Sequence, residues 1–140
     1  MSTATEVSNL ATVGAIYEAF SRGDIPTILG HLASDVAWES WPDNSAQAAG
    51  VPWMAQGRGP DAAAAFFSIA GGATVHDLKV LSLMDGGSQI AAEVEIDITF
   101  AGAKRYADQE IHLWTFNDEG KVSRFRHYTD TAKHIAAFKG

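Results

Sequence analysis

Apolar residues recur every three to four positions over the first 70 residues and every two positions after that, which divides the chain into a helical half and a sheet half. Leu10, Val13, Ile16, Tyr17 and Phe20 form one stripe ahead of Gly23, and Thr3 with Glu6 has capping-box spacing at its start. Asp24 and Pro26 open a second short helix that buries Ile25, Ile28, Leu29 and Leu32. Residues 36 to 41 alternate as a strand, with Val36, Trp38 and Ser40 on one face, Ala37, Glu39 and Trp41 on the other, and Pro42 as the stop. Residues 43 to 58 carry turn residues without a period, which predicts an irregular lid or binding segment. A third helix follows over 60 to 70 and ends at Gly71-Gly72.

The period of two predicts strands over 74 to 84, 89 to 101, 104 to 116 and 121 to 129, joined by hairpin-compatible turns. Thr129 or Asp130 caps a last helix through Phe138, with Lys133, His134 and Lys139 near its negative end. Helices followed by a run of strands make an α+β fold: one domain over 1 to 140, a curved antiparallel or mixed sheet wrapped by three helices of the N-terminal half into a cone with a mouth.

Composition narrows the function. Ten basic and 17 acidic residues give −7, with no footprint for nucleic acid or an anionic membrane. The absence of cysteine removes disulfides, thiolate nucleophiles and Cys-zinc sites. No leader pattern and no run of 18 apolar residues is present, so the expected location is the cytoplasm.

If NDEG at 117 to 120 is a four-residue loop, Phe116 pairs with Lys121, His112 falls opposite Phe125 and Glu110 opposite His127, so one face carries both histidines and the carboxylate. The other face carries Ile111, Leu113, Val122, Arg124, Arg126 and Tyr128. Either face could look inward, and His112 and His127 read as a general acid or base in a pocket or as hydrogen-bonded structural residues. Glu93, Glu95 and Asp97 face water opposite Val94, Ile96, Ile98 and Phe100. Glu110, His112 and His127 could sit around a metal, but no dense ligand motif supports it, and neither a metal nor a cofactor is expected. Trp53 reads as a lid over the mouth, and Arg58 as a lid clamp or a solvated charge.

Four segments, YEAFSRGD (17 to 24), ASDVAWE (33 to 39), GRGPDAAAAFF (57 to 67) and HLWTFNDEGKVSRFRHYTD (112 to 130), resemble in order and spacing the SnoaL-like group of the nuclear transport factor 2-like superfamily. The resemblance implies a curved sheet wrapped by helices around an apolar pocket, dimerisation through the outer sheet face, and functions that range from cyclases and isomerases to non-catalytic binding modules. It puts Ser40 where steroid isomerases carry their general base, and Trp38, Ser40 and His127 where epoxide hydrolases hold their water, so neither catalytic set is complete. His127 falls at the acid/base position of the cyclases, which makes His127 and His112 the candidate catalytic residues. The implied ligand-binding residues are Tyr17, Trp38, Ser40, Trp53, Phe67, Ile96, Ile98, Trp114 and Phe125. The function this predicts is binding of a small hydrophobic molecule with isomerase, cyclase or hydrolase type acid/base activity; the alternative is a non-catalytic ligand-binding or dimeric interaction module.

Overall fold

A computed structural model describes residues 8–39, 41 and 43–140. The Thr3–Glu6 capping box, Ser40 and Pro42 lie outside the described residues. Helix α1 (Asn9–Ser21) is capped by Ser8, whose hydroxyl accepts from the Ala11 amide. It buries Val13 and Ile16 of the predicted stripe, with Thr12 and Ala19 beside them. Asp24 caps α2 (Ile25–Gly30) as its side chain accepts from the Thr27 amide.

Strand β1 spans Leu32–Trp38, four residues earlier at its start than the alternation predicts. It cannot continue, because Glu39 turns into the left-handed region at φ 55°. The segment expected to be irregular instead folds into α3 (Ser45–Ala48), a 3-10 turn over Pro52–Met54 and β2 (Gly57–Arg58). Each piece is too short to show a period, yet Ala46, Val51, Trp53 and Met54 are buried in a second hydrophobic core with Ile98 and Phe100. Trp53 is therefore a packed wall and not a surface flap, while Arg58 is exposed and its side chain donates to the Asp35 carbonyl. Helix α4 (Pro60–Gly71) buries Ala63, Phe67 and Ala70.

Strands β3 (Thr74–Asp85), β4 (Gln89–Thr99), β5 (Tyr106–Phe116) and β6 (Val122–Tyr128) complete a six-stranded sheet of order β2-β1-β6-β5-β4-β3. All pairings are antiparallel except β1 with β6, which is parallel. Helix α5 (Thr131–Lys139), capped by Asp130, closes one end of the cone. The main core fills the space between α1, α2, α4 and the inner sheet face.

The β5–β6 register differs from the four-residue-loop expectation. The Asn117 amide bonds the Lys121 carbonyl, leaving three residues in the loop, and a bulge at Ser123 then lets both Val122 and Phe125 turn inward. The result is that Trp114 pairs with Phe125 and His112 with His127. Val122 thus belongs to the inner face and not the outer one. The total slip at the histidines is two residues, so the predicted face is preserved while its partners change.

Candidate functional site

The strand register builds the site row by row. On the inner face, Ile90, Trp114 and Phe125 form one cross-strand row, Ala92, His112 and His127 the next, then Val94 with Glu110 and Ile96 with Asp108. Asp108, Glu110, His112, Trp114 and Phe116 are alternate residues of one strand and all are buried. Glu93, Glu95 and Asp97 take the opposite face, as expected, with Glu93 exposed.

The cone encloses a cavity of about 80 Å³ whose wall is apolar apart from one end. Tyr17, Trp38, Trp53, Phe67, Ile96, Ile98, Trp114, Phe125, His112 and His127 all line it. Ten aromatic side chains other than histidine contribute, and Trp38 stacks on Phe125 with ring centroids 4.4 Å apart. The polar end is a continuous hydrogen-bonded chain. Trp114 Nε1 donates to Tyr17 Oη (3.2 Å), Tyr17 Oη lies 2.5 Å from His112 Nδ1, and His112 Nε2 lies 3.0 Å from Glu110 Oε1. His127 Nε2 meets the same Glu110 oxygen at 2.9 Å, and its Nδ1 meets Glu39 Oε1 at 3.1 Å. An ionised carboxylate only accepts, so both Nε2 atoms carry protons and Tyr17 donates to His112 Nδ1.

Burial alone would raise the pKa of Glu110, but the charge on His127 and hydrogen bonds from His112, His127 and His134 hold the carboxyl well below its usual range. Burial opposes charge on His127, yet Glu110 and then Glu39 hold it well above an ordinary histidine. His127 is an imidazolium clamped between two carboxyl groups. Burial also keeps Tyr17 and Tyr106 as neutral hydroxyls by raising both pKa values.

Glu39, Asp108, Tyr106, Thr129 and His134 complete the cluster, and the sequence reading assigned a site role to none of them. The alternation put Glu39 opposite Trp38. The left-handed turn at Glu39 reverses that, and the backbone is held there by the Trp41 amide (2.7 Å) and the Gln47 side chain (3.1 Å), both donating to the Glu39 carbonyl. His134 was read as a charge at the end of a helix; it is fully buried one turn before Ala137. Trp53 Nε1 donates to its Nδ1 (2.8 Å), and its Nε2 faces Asp108 Oδ2 (3.0 Å), Glu110 Oε2 (3.3 Å) and the Thr129 hydroxyl. Burial lowers the His134 pKa and the carboxylates raise it, with a net rise. A second proton would have to sit on Nδ1 against the Trp53 N–H, so the geometry holds the neutral Nε2–H form. The one sequence signal for this cluster was the period of two that joins Asp108 and Glu110 to His112 and Trp114.

The α+β fold, a six-stranded sheet wrapped by helices, is that of nuclear transport factor 2-like structures. The profile of the SnoaL-like domain matches residues 13–125, and the chain belongs to that family. No curated protein sequence matches it. Among solved structures it is similar to an NTF2-like protein of unknown function from Burkholderia pseudomallei (23% identity, TM-score 0.77, 96% of this chain and 100% of that one). It is also similar to an LEH-like epoxide hydrolase from M. tuberculosis (16% identity, TM-score 0.69, 94% and 90% covered). A third is a candidate polyketide cyclase from Xanthomonas campestris pv. campestris (23% identity, TM-score 0.67, 93% and 96% covered). Likenesses at these identities establish the fold and leave the chemistry to the site.

Proposed function

We propose that the cavity binds a small, mainly apolar molecule and performs proton transfer on it, with His127 as proton donor and His112 as hydrogen-bond donor to the developing oxygen charge. One observation carries this reading: the two imidazole Nε2 groups converge on a single oxygen at the polar end of an otherwise aromatic wall, at 2.9 and 3.0 Å. Two N–H donors that already converge on a negative oxygen have the geometry an oxyanion needs, and the charge on His127 makes it the acid of the pair. An anionic ligand would meet Glu110, so neutral carbonyl compounds, alcohols and epoxides fit better than carboxylates.

The non-catalytic alternative draws on a specific observation too, since all four ring nitrogens of His112 and His127 already have protein partners. The partner we propose is a second copy, docked through the outer face where Met84, Ala91, Leu113 and Arg126 form one row and Ser82, Glu93, Ile111 and Tyr128 the next. Met84 is 45% exposed there and Leu81, at a bulge of the same strand, is 51% exposed. Sedimentation would give a dimer; a monomer ends that part of the proposal. Among the described residues no helix is long and apolar enough to cross a membrane, and a cytoplasmic location, checked by fractionation, belongs to the same proposal.

The test is a thermal-shift screen in chelator against aromatic polyketides, steroids, terpenoid epoxides and small aromatic acids. A ligand at a hundred times its Kd stabilises by about 2.7 kcal/mol. A neutral hit that is converted by the protein and left unchanged by His127→Gln supports catalysis. A hit recovered chemically intact after long incubation supports the binding module, and a flat profile across all four classes counts against both.

A further inference from the structure

Three buried carboxyl groups, Glu39, Asp108 and Glu110, meet inside the cone, and every ion pair the structure gives them is with a histidine. We propose that Glu110, His112 and His127 bind one divalent first-row transition-metal ion, with its open positions facing the cavity. Two imidazole nitrogens and one carboxylate are the donor set of many zinc and non-haem iron sites. With no cysteine in the chain and only one oxygen donor in the set, soft copper(I) and hard calcium or magnesium fit less well.

The geometry is close to a ligated state. The three donor atoms lie within 4.8 Å of one another. His112 Nε2 and His127 Nε2 stand 3.0 and 2.9 Å from Glu110 Oε1, whereas neighbouring ligands around a tetrahedral zinc with bonds of about 2.0–2.1 Å stand roughly 3.3 Å apart. An expansion of a few tenths of an ångström opens the centre. The rear of each imidazole has a partner that can accept once the ion displaces the Nε2 proton: His127 Nδ1 already faces Glu39 Oε1 at 3.1 Å, and the Tyr17 hydroxyl, 2.5 Å from His112 Nδ1, can turn from donor to acceptor, which the Trp53 N–H at His134 cannot. Such partners fix the ring orientation and tautomer of metal-bound histidines. A further observation is independent of these distances: Glu39 is 0% exposed and its Oε2 has no hydrogen-bond partner among the described residues. An ion at the neighbouring ligands, with its bound water, is one species that would satisfy this open acceptor.

The neighbouring set Asp108, Glu110 and His134 is equally close but chemically blocked. The Trp53 N–H needs the lone pair of His134 Nδ1, so the His134 proton sits on Nε2, the nitrogen that would have to bind the ion. The metal site goes beyond the ligand reading and does not rest on it: an ion there carries the positive charge that the His127 imidazolium otherwise presents to the cavity.

The test uses the full chain, stripped with chelator and dialysed. Titration with Zn²⁺ by calorimetry and with Co²⁺ by visible absorption should give one ion per chain. In protein labelled with ¹⁵N-histidine, Zn²⁺ should move the Nε2 signals of His112 and His127 and leave those of His134, His31 and His76 in place. Glu39→Gln should weaken binding by about 10- to 100-fold, as loss of an outer-shell partner does. A His31→Asn/His76→Asn double variant should bind as the unmodified protein does. Absence of a stoichiometric ion, or signal changes at His134, His31 or His76 in place of His112 and His127, would overturn the proposal. The nitrogen signals decide the matter without any variant that must fold. Because the ligand screen is run in chelator and the metal titration without ligand, either reading can fail while the other stands.

Discussion

The Glu39 carboxylate reaches His127 Nδ1, 3.1 Å away, because the chain turns left-handed at Glu39 directly after β1 ends. A left-handed glutamate costs about 1–2 kcal/mol relative to an ordinary conformation, so the contact is held by its surroundings, here Gln47 and the Trp41 amide. Glu39→Gln keeps the shape and an acceptor oxygen and removes the charge. The expected result is a His127 pKa closer to the ordinary range and a stability loss of about 1–3 kcal/mol. Urea unfolding and an NMR titration of the histidines check both, and an unmoved His127 titration would show that Glu39 does not hold its proton.

The His127–Glu110 pair sets a pH profile with two limbs. The pKa of His127 is raised above its unfolded value of 6.5, so its contribution is complete below that value and is lost as pH climbs through the elevated one. The pKa of Glu110 is depressed below its unfolded value of 4.5, so its contribution is complete above that value and is lost as pH falls through the lowered one. Stability from this pair should therefore peak between 4.5 and 6.5. Urea midpoints measured across that window and to either side at fixed ionic strength provide the measurement. The alkaline fall should shrink in His127→Gln, and a native protein that grows more stable from neutral to alkaline pH would contradict the assignment.

The change of hydrophobic period marks the helical and sheet halves, and Tyr17, Trp38, Ile96, Ile98, Trp114 and Phe125 continue its regular stripes, but their place in a pocket is implied by the family resemblance, as is that of Trp53, which lies in a segment without a period. His112, His127 and Glu110 fall on one face as the alternation predicts although the loop is shorter than expected, since the shorter loop and the bulge together slip the register by two and preserve the face. Glu39 and His134 were not legible, for two different physical reasons. At Glu39 a single backbone turn cancels the strand alternation, and no residue type announces it, as glutamate has no preference for that region. At His134 the helix is short and carries Lys133 and Lys139 as well, so a buried histidine looks like another charge complementing the helix dipole until the sheet beneath it supplies Asp108.

Tyr17 joins the first helix to the polar end of the cavity, and its hydroxyl is the shared partner of Trp114 Nε1 and His112 Nδ1. Tyr17→Phe keeps the ring and leaves both nitrogens without that partner inside the core. A buried donor or acceptor stripped of its partner costs about 1–3 kcal/mol, which is the expected loss of stability in urea. The His112 ring should also lose its fixed tautomer, visible in its nitrogen chemical shifts. A variant as stable as the native chain would mean that water replaces the hydroxyl.

Trp38 is 1% exposed at the centre of the aromatic wall, and its indole N–H has no partner among the described residues. Trp38→Phe removes bulk that packs on Phe125, Phe66 and Phe67, and it also removes an unsatisfied buried donor. The two effects oppose each other. The expected net loss is about 1 kcal/mol, well under the 3–5 kcal/mol typical of aromatic truncation to alanine. The enlarged cavity should accept bulkier ligands in the thermal-shift screen, and a loss as large as that of an alanine variant would indicate that the indole N–H is satisfied.

Trp53 decides which nitrogen of His134 carries the proton, and that control can be removed without emptying the core. In Trp53→Phe the ring can still stack on Phe100, whose centroid lies 4.1 Å away at an interplanar angle of 5°. The lost group is the N–H that points at His134 Nδ1. Tyr106 Oη, 3.3 Å from that nitrogen, can then accept from it, so a second proton no longer faces a donor. Asp108 and Glu110 on the other side favour the charged ring. His134 should therefore become doubly protonated near neutral pH, with both ring nitrogens shifting together in ¹⁵N spectra, while His112 and His127 keep their signals. If the His134 nitrogens stay as they are in the native chain, the tautomer is set by the carboxylates and not by Trp53. His134 Nδ1 could then carry the proton, and Nε2 would be free to bind an ion with Asp108 and Glu110.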